Sequence, residues 1–155
     1  MRFTTGLLVF ITTIIFGPFA SAEPISKKIY MASSVGAADI SIYIASTVGA
    51  ADVSIYFPTS ASIADKKVFF TSTKAEADYM IEFAHTLGGG DPDVYFAGTV
   101  GAADISVYFA STIGAADKSI YIVDSKSRAD VTVYMEKSDL TRDQIFALLV
   151  ALKII

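Results

Sequence analysis

From Ile40 to Ala45 the chain alternates. Ile40, Ile42 and Ile44 fall on one side of an extended backbone, and Ser41, Tyr43 and Ala45 on the other. A period of two in β-branched and aromatic residues reads as a short strand. Six residues at ~3.3 Å each reach about 20 Å. The pattern returns in Val53-Ser54-Ile55-Tyr56, in Ile105-Ser106-Val107-Tyr108 and in Ser119-Ile120-Tyr121-Ile122. Between these runs lie stretches such as Ser46-Thr47-Val48-Gly49-Ala50-Ala51-Asp52, small, polar or glycine-bearing, which read as turns.

Strand and turn together recur every thirteen residues. Eight aspartates mark the interval: Asp39, Asp52, Asp65, Asp78, Asp91, Asp104, Asp117 and Asp130. An aromatic keeps the same spacing at Tyr30, Tyr43, Tyr56, Phe69, Tyr95, Tyr108, Tyr121 and Tyr134, broken only at Glu82. The chain builds one small unit many times over, and the fold class expected is all-β with short repeated strands. The pattern leaves two architectures open. A parallel solenoid of thirteen-residue coils has a contour near 44 Å, little room inside, and aligned carboxylates with few cations to offset them. In an antiparallel meander or barrel, a short turn returns each strand beside its sequence neighbour.

The two ends differ from the repeats. Gly6 to Phe16 is almost wholly apolar, Gly17-Pro18 breaks it, and Ala20-Ser21-Ala22 reads as a small-x-small cleavage site. This predicts a signal peptide over 1–22 and a secreted or periplasmic home. The apolar run is shorter than the roughly twenty residues of a membrane span. At the other end, Thr141 followed by Gln144 fits a capping box before an unbroken apolar run. The expectation is a helix over about 142–153, apolar nearly all round and therefore buried. It packs on the β domain, with a dimer contact or membrane docking as alternatives. The chain thus divides into 1–22, a repeat β domain over 23–137, and a C-terminal helical segment over 138–155.

Composition narrows the function classes. Without Arg2, eleven basic and sixteen acidic residues remain. No basic stretch is long enough to follow a phosphate backbone, so nucleic acid is not an expected partner. There is no cysteine, so an exported domain must rely on packing and backbone pairing. The aspartates are read as turn acceptors, each taking N–H groups of its own turn. Calcium is the alternative, but it needs six to eight oxygens and each repeat offers one carboxylate. The tyrosines are read as cross-strand packing, their phenols facing the aspartates, or as an exposed ladder for a glycan or protein ligand. His85, the single histidine, lies near Asp91 and Asp93 in sequence but has no cysteine or nucleophile-elbow serine to work with. No residue set is singled out as catalytic, cofactor-binding or metal-ligating.

The repeated Ala-Asp-x-x-Val/Ile-Tyr unit at this spacing resembles the septoil-knot domain family, small exported or bacterial β proteins whose chain forms a seven-crossing torus knot. The resemblance covers about 28–136. This chain departs from the family in its Gly-Ala-Ala-rich turns and its apolar tail. Its best repeats, at Asp39/Asp52 and Asp104/Asp117, stand five repeats apart, with the irregular Leu87-Gly88-Gly89-Gly90-Asp91-Pro92 between them. The resemblance implies two halves wound about each other, strands of 28–82 pairing with strands of 94–135, and a reversal of winding at that loop. It implies no activity. The expected role is a stable, non-enzymatic structural or binding domain, a monomer or weak oligomer. A calcium-dependent adhesion module is the alternative and a hydrolase the third reading.

Overall fold

The computed structural model describes residues 22–155, so all but Ala22 of the expected signal peptide lies outside the described residues. Nine strands follow in chain order: β1 (Ile25–Met31), β2 (Ile40–Ala45), β3 (Val53–Tyr56), β4 (Lys66–Thr71), β5 (Tyr79–Ala84), β6 (Asp93–Phe96), β7 (Ile105–Ala110), β8 (Lys118–Ile122) and β9 (Val131–Met135). The helix α1 (Arg142–Ala151) closes the chain. The fold is all-β plus one helix, but the strand pairing is neither solenoid nor meander. All nine strands are parallel and close into a barrel in the order β1-β5-β9-β4-β8-β3-β7-β2-β6, with β6 returning to β1.

The thirteen-residue period explains the order. Ile40 of β2 stands opposite Val94 of β6, fifty-four residues on, and Ile42 stands opposite Ile105 of β7, sixty-three residues on. Fifty-four is four repeats plus two residues, and sixty-three is five repeats minus two. Together they make nine repeats, so the ring closes on nine strands. Successive strands land two places apart round the ring. The first circuit, β1 to β5, leaves gaps that β6 to β9 fill, and every ladder but β1–β5 joins the two halves. The expected pairing of early with late strands is therefore present. The expected reversal of winding is not, because β5 to β6 is the same two-place step as every other connection.

Each neighbouring strand is also shifted by two residues in one sense. At ~3.3 Å per residue and ~4.8 Å between strands, that shift tilts the strands by about 55° and gives a wall radius of about 12 Å. The steep tilt is why a short connection suffices. A strand about 20 Å long climbs only about 12 Å along the axis, and the seven residues 46–52 can return that far. The meander expectation assumed that a short turn must join sequence neighbours. Here each turn drops down the outside of the strand between them. Val35–Ala37 lies against β6, Val48–Ala50 against β7, and Val100–Ala102 against β2. Equivalent residues of all repeats stand at one height, about 8 Å apart round the ring.

One position per repeat forms the barrel's inner ring. Ile29, Ile42, Ile55, Val68, Ile81, Val94, Val107, Ile120 and Val133 are fully buried. They surround α1, whose capping box holds as expected: Gln144 N–H donates to Thr141 Oγ1 and Thr141 N–H to Gln144 Oε1. Phe146, Ala147, Leu148, Leu149 and Val150 are consecutive and all buried. Five residues at 100° each exceed a full turn, so the helix has no outer face. Its start meets the C-terminal strand ends, where the Phe146 ring lies edge-on to Phe57 and Phe70 at 4.7 and 5.9 Å. Its far end meets the N-terminal strand residues Val53 and Ile105. The helix therefore fills the lumen, antiparallel to the strands, rather than lying on the outside of the domain. Among the described residues no helix is long and apolar enough to cross a membrane.

Candidate functional site

The outward side of each strand carries the polar chemistry. Ser41, Ser54, Ser106 and Ser119 point away from the lumen, yet the crossing turns keep them at most 3 % exposed. A buried hydroxyl needs a partner, and the aspartates supply it. Asp104 Oδ2 accepts from Ser41 N–H at 2.7 Å and Ser41 Oγ at 2.6 Å. Asp104 N–H donates in turn to Ser41 Oγ at 3.0 Å and to the Ser41 carbonyl at 2.9 Å. Asp117 with Ser54, Asp52 with Ser106 and Asp65 with Ser119 repeat this clamp. Degenerate rungs keep its backbone half, as Asp130 does with Lys67 N–H and Asp78 with Thr132 N–H.

The aspartates are thus acceptors, as expected, but not of their own turns. Those amides are already satisfied by turn carbonyls: Ala50 N–H donates to Thr47 O, and Ala51 N–H to Val48 O. All of these carboxylates but that of Asp91 instead tie one circuit of the chain to the other. Nor do the bonds run to the tyrosines. The serine hydroxyl first, and the serine N–H second, hold Asp52, Asp65, Asp104 and Asp117 below the usual carboxylate range. The rungs are spread one to a groove round the ring, and among the described residues no three His, Cys, Asp or Glu side chains converge.

The central loop carries one departure. Asp93 takes the serine position opposite Asp39. Its N–H donates to Asp39 Oδ2, and its own Oδ2 accepts from Gly88 N–H at 3.1 Å. Its Oδ1 is buried without a hydrogen-bond partner. Gly90 must be glycine, since a Cβ there would lie 2.3 Å from Tyr30 N and 2.7 Å from Asp93 Oδ1. His85 is exposed on this loop, and no hydrogen bond joins it to Asp91 or Asp93.

Two surfaces could receive a ligand. One is a cleft of about 380 Å³ at the barrel mouth, lined by Phe70, Ile122, Met135, Ile145 and Phe146. Arg142 borders it but stacks over Phe57, 3.7 Å from the ring centroid. The other emerges only once the ring order is known. Leu87, Val35, Val100, Val48 and Ile113 occupy one turn position, each about half exposed. Scattered along the chain, the last four ride over β6, β2, β7 and β3, and the loop that carries Leu87 meets β1 at Lys28 and Tyr30; these five strands are consecutive in the barrel. Half-buried Tyr30, Tyr95, Tyr43, Tyr108 and Tyr56 sit on those same strands in the same order. No Lys or Arg occurs over 32–65 or 94–117, so β6, β2, β7, β3 and their turns carry carboxylates alone. The remaining arc is charged and internally paired. Lys74 bonds Glu82, Arg128 bonds Asp124 at 3.2 Å, and Lys126 Nζ donates to Glu76 O. Sequence reading found the tyrosine series but missed the apolar arc, because its members become neighbours only through pairing at fifty-four and sixty-three residues.

Residues 26–99 match the family described as the 7(1) septoil knot domain. No curated protein and no solved structure matches the chain. The matched stretch runs from β1 to the turn after β6, one whole circuit and the start of the next. With its second circuit slotted strand by strand into the first, the chain is similar over residues 26–99 to the septoil-knot domain family.

Proposed function

We propose that this chain is an exported, persistent, non-enzymatic binding module that presents the aliphatic and tyrosine arc to a partner. The single observation that supports it is the grouping of five half-exposed aliphatic residues on adjacent turns. Together they offer on the order of 400 Å² of apolar surface, at the scale where exposed patches mark interaction sites. The two-circuit weave suits such a role. Each strand is held by both neighbours along a barrel without free edges, so the face is displayed on a rigid support. Export rests on the apolar leader sequence alone.

A photo-crosslinking residue tests the face without presupposing the partner. It is placed at Val48 on the arc, and separately at Ser127 on the charged side, in chain expressed and exported by its own cells. Crosslinks concentrated at Val48 support the reading. Equal yields at the two positions, or none at Val48, overturn it.

A further inference from the structure

Resting on that reading, we infer that the arc docks a basic polypeptide segment bearing aliphatic side chains. The arc is convex and extends for roughly 30 Å of circumference, so it suits a ligand that lies along it rather than a small molecule that enters it. Its apolar residues call for aliphatic contact. Over β6, β2, β7 and β3 its exposed charges are Asp39, Asp104, Asp52 and Asp117, one per strand groove, with no cation on these four strands or their turns, while Lys27 and Lys28 of β1 bound it at one end. The serine clamps keep the last three ionised through the neutral range, and hold each carboxylate in place by short bonds to one oxygen.

Spacing and charge both select among occupants. Equivalent carboxylates recur about every 8 Å round the ring, while alternate residues of an extended chain recur about every 6.6 Å. Successive same-side lysines or arginines of one strand-like segment can therefore face successive aspartates, with aliphatic residues between. A second copy docking by the same face would set the four aspartates against their own equivalents. An anionic lipid surface is repelled by the same row. A zwitterionic membrane would leave the carboxylates without partners.

The test uses the mature full-length chain and three probes: a fluorescent twelve-residue peptide alternating Lys and Val, its Glu-for-Lys counterpart, and phosphatidylcholine vesicles. The Lys–Val peptide is expected to bind at least tenfold more tightly than the Glu–Val peptide, and to weaken several-fold from 0.1 to 0.5 M salt as screening shortens. Two double variants should each weaken it several-fold: Asp52→Asn with Asp104→Asn, which keeps the oxygen acceptors, and Val48→Ser with Val100→Ser. Lys126→Ala, on the charged arc, should leave it unchanged. Circular dichroism of each variant establishes that the fold is retained. Equal binding of the two peptides, no binding of the Lys–Val peptide, tighter binding to vesicles, or self-association abolished by the valine variant would each overturn the inference. Val48 crosslinking together with absent Lys–Val binding would refute this partner class while leaving the binding face itself supported.

Discussion

At the scale of single residues, the rung between Asp104 and Ser41 joins side chains from the two circuits of the chain through one carboxylate oxygen. Ser41 and Asp104 stand sixty-three residues apart, a separation that nothing local announces. Asp104→Ala should cost about 1 kcal/mol, the worth of the hydrogen bonds lost at a partly exposed rung. Asp104→Asn should cost less, since its amide oxygen still accepts. Combining Asp104→Ala with Ser41→Ala should cost less than the sum of the two, because they share one rung. Urea unfolding of the four proteins checks this, and strict additivity would contradict the clamp. Carboxylates held below their ordinary range stabilise the fold above the unfolded-state pKa of about 3.9, and that contribution is lost as pH falls through the lower folded value. Melting temperature should therefore drop below about pH 4, and less steeply when Asp52 and Asp104 are both Asn. Asp93 runs the other way. Asp93→Ser removes a carboxylate with a buried, unpartnered oxygen and restores the serine found opposite Asp52, Asp65, Asp104 and Asp117. It gives up the bond from Gly88. A gain of about 1–2 kcal/mol is expected, and a loss of stability in the same urea assay would show that the loop needs that carboxylate.

At the scale of elements, strands, turns and helix were each readable locally. Ile40-Ser41-Ile42-Tyr43 gave the period of two, and Thr141 with Gln144 gave the helix start. What each element packs against was not readable, because a helix apolar on every side specifies burial without naming its surroundings. The barrel names them. Phe146, Leu148 and Leu149 occupy the lumen inside a ring of isoleucine and valine. Leu149→Ala should cost about 2–5 kcal/mol, the range for a cavity in a core that can only partly collapse. The closed ladder of parallel strands limits that collapse. Leu149→Met, nearly volume-conserving, should cost less than about 1.5 kcal/mol. Had the helix merely rested on the outer wall, Leu149→Ala would be relieved by a small shift of the helix, and an equilibrium cost below 1 kcal/mol would favour that arrangement.

At the scale of the whole molecule, the repeat length determines how the halves are joined. Pairing at four repeats plus two and five repeats minus two places β6 to β9 in the gaps of β1 to β5. The number of strands follows from thirteen-residue arithmetic once those offsets are known, but one chain's sequence does not display the offsets. Only the resemblance to a knotted family pointed there, since knots are otherwise essentially absent from protein chains. The consequence is mechanical. A cut between Leu87 and Gly88 falls in the exposed connection between the circuits, away from every ladder. Of the nine ladders, only β1–β5 lies within one fragment, and the second fragment also carries the helix that fills the shared lumen. The two pieces should therefore elute as one species in native buffer and separate only in denaturant strong enough to unfold the barrel. A protease site engineered at that junction, followed by gel filtration and native mass spectrometry, decides the matter. In an ordinary two-domain chain each half would keep its own ladders, and the same cut would release two folded fragments. Recovery after full unfolding should be slow for the intact chain as well, because no ladder can form before residues more than fifty apart have met. Stopped-flow refolding complete within milliseconds would be incompatible with that topology.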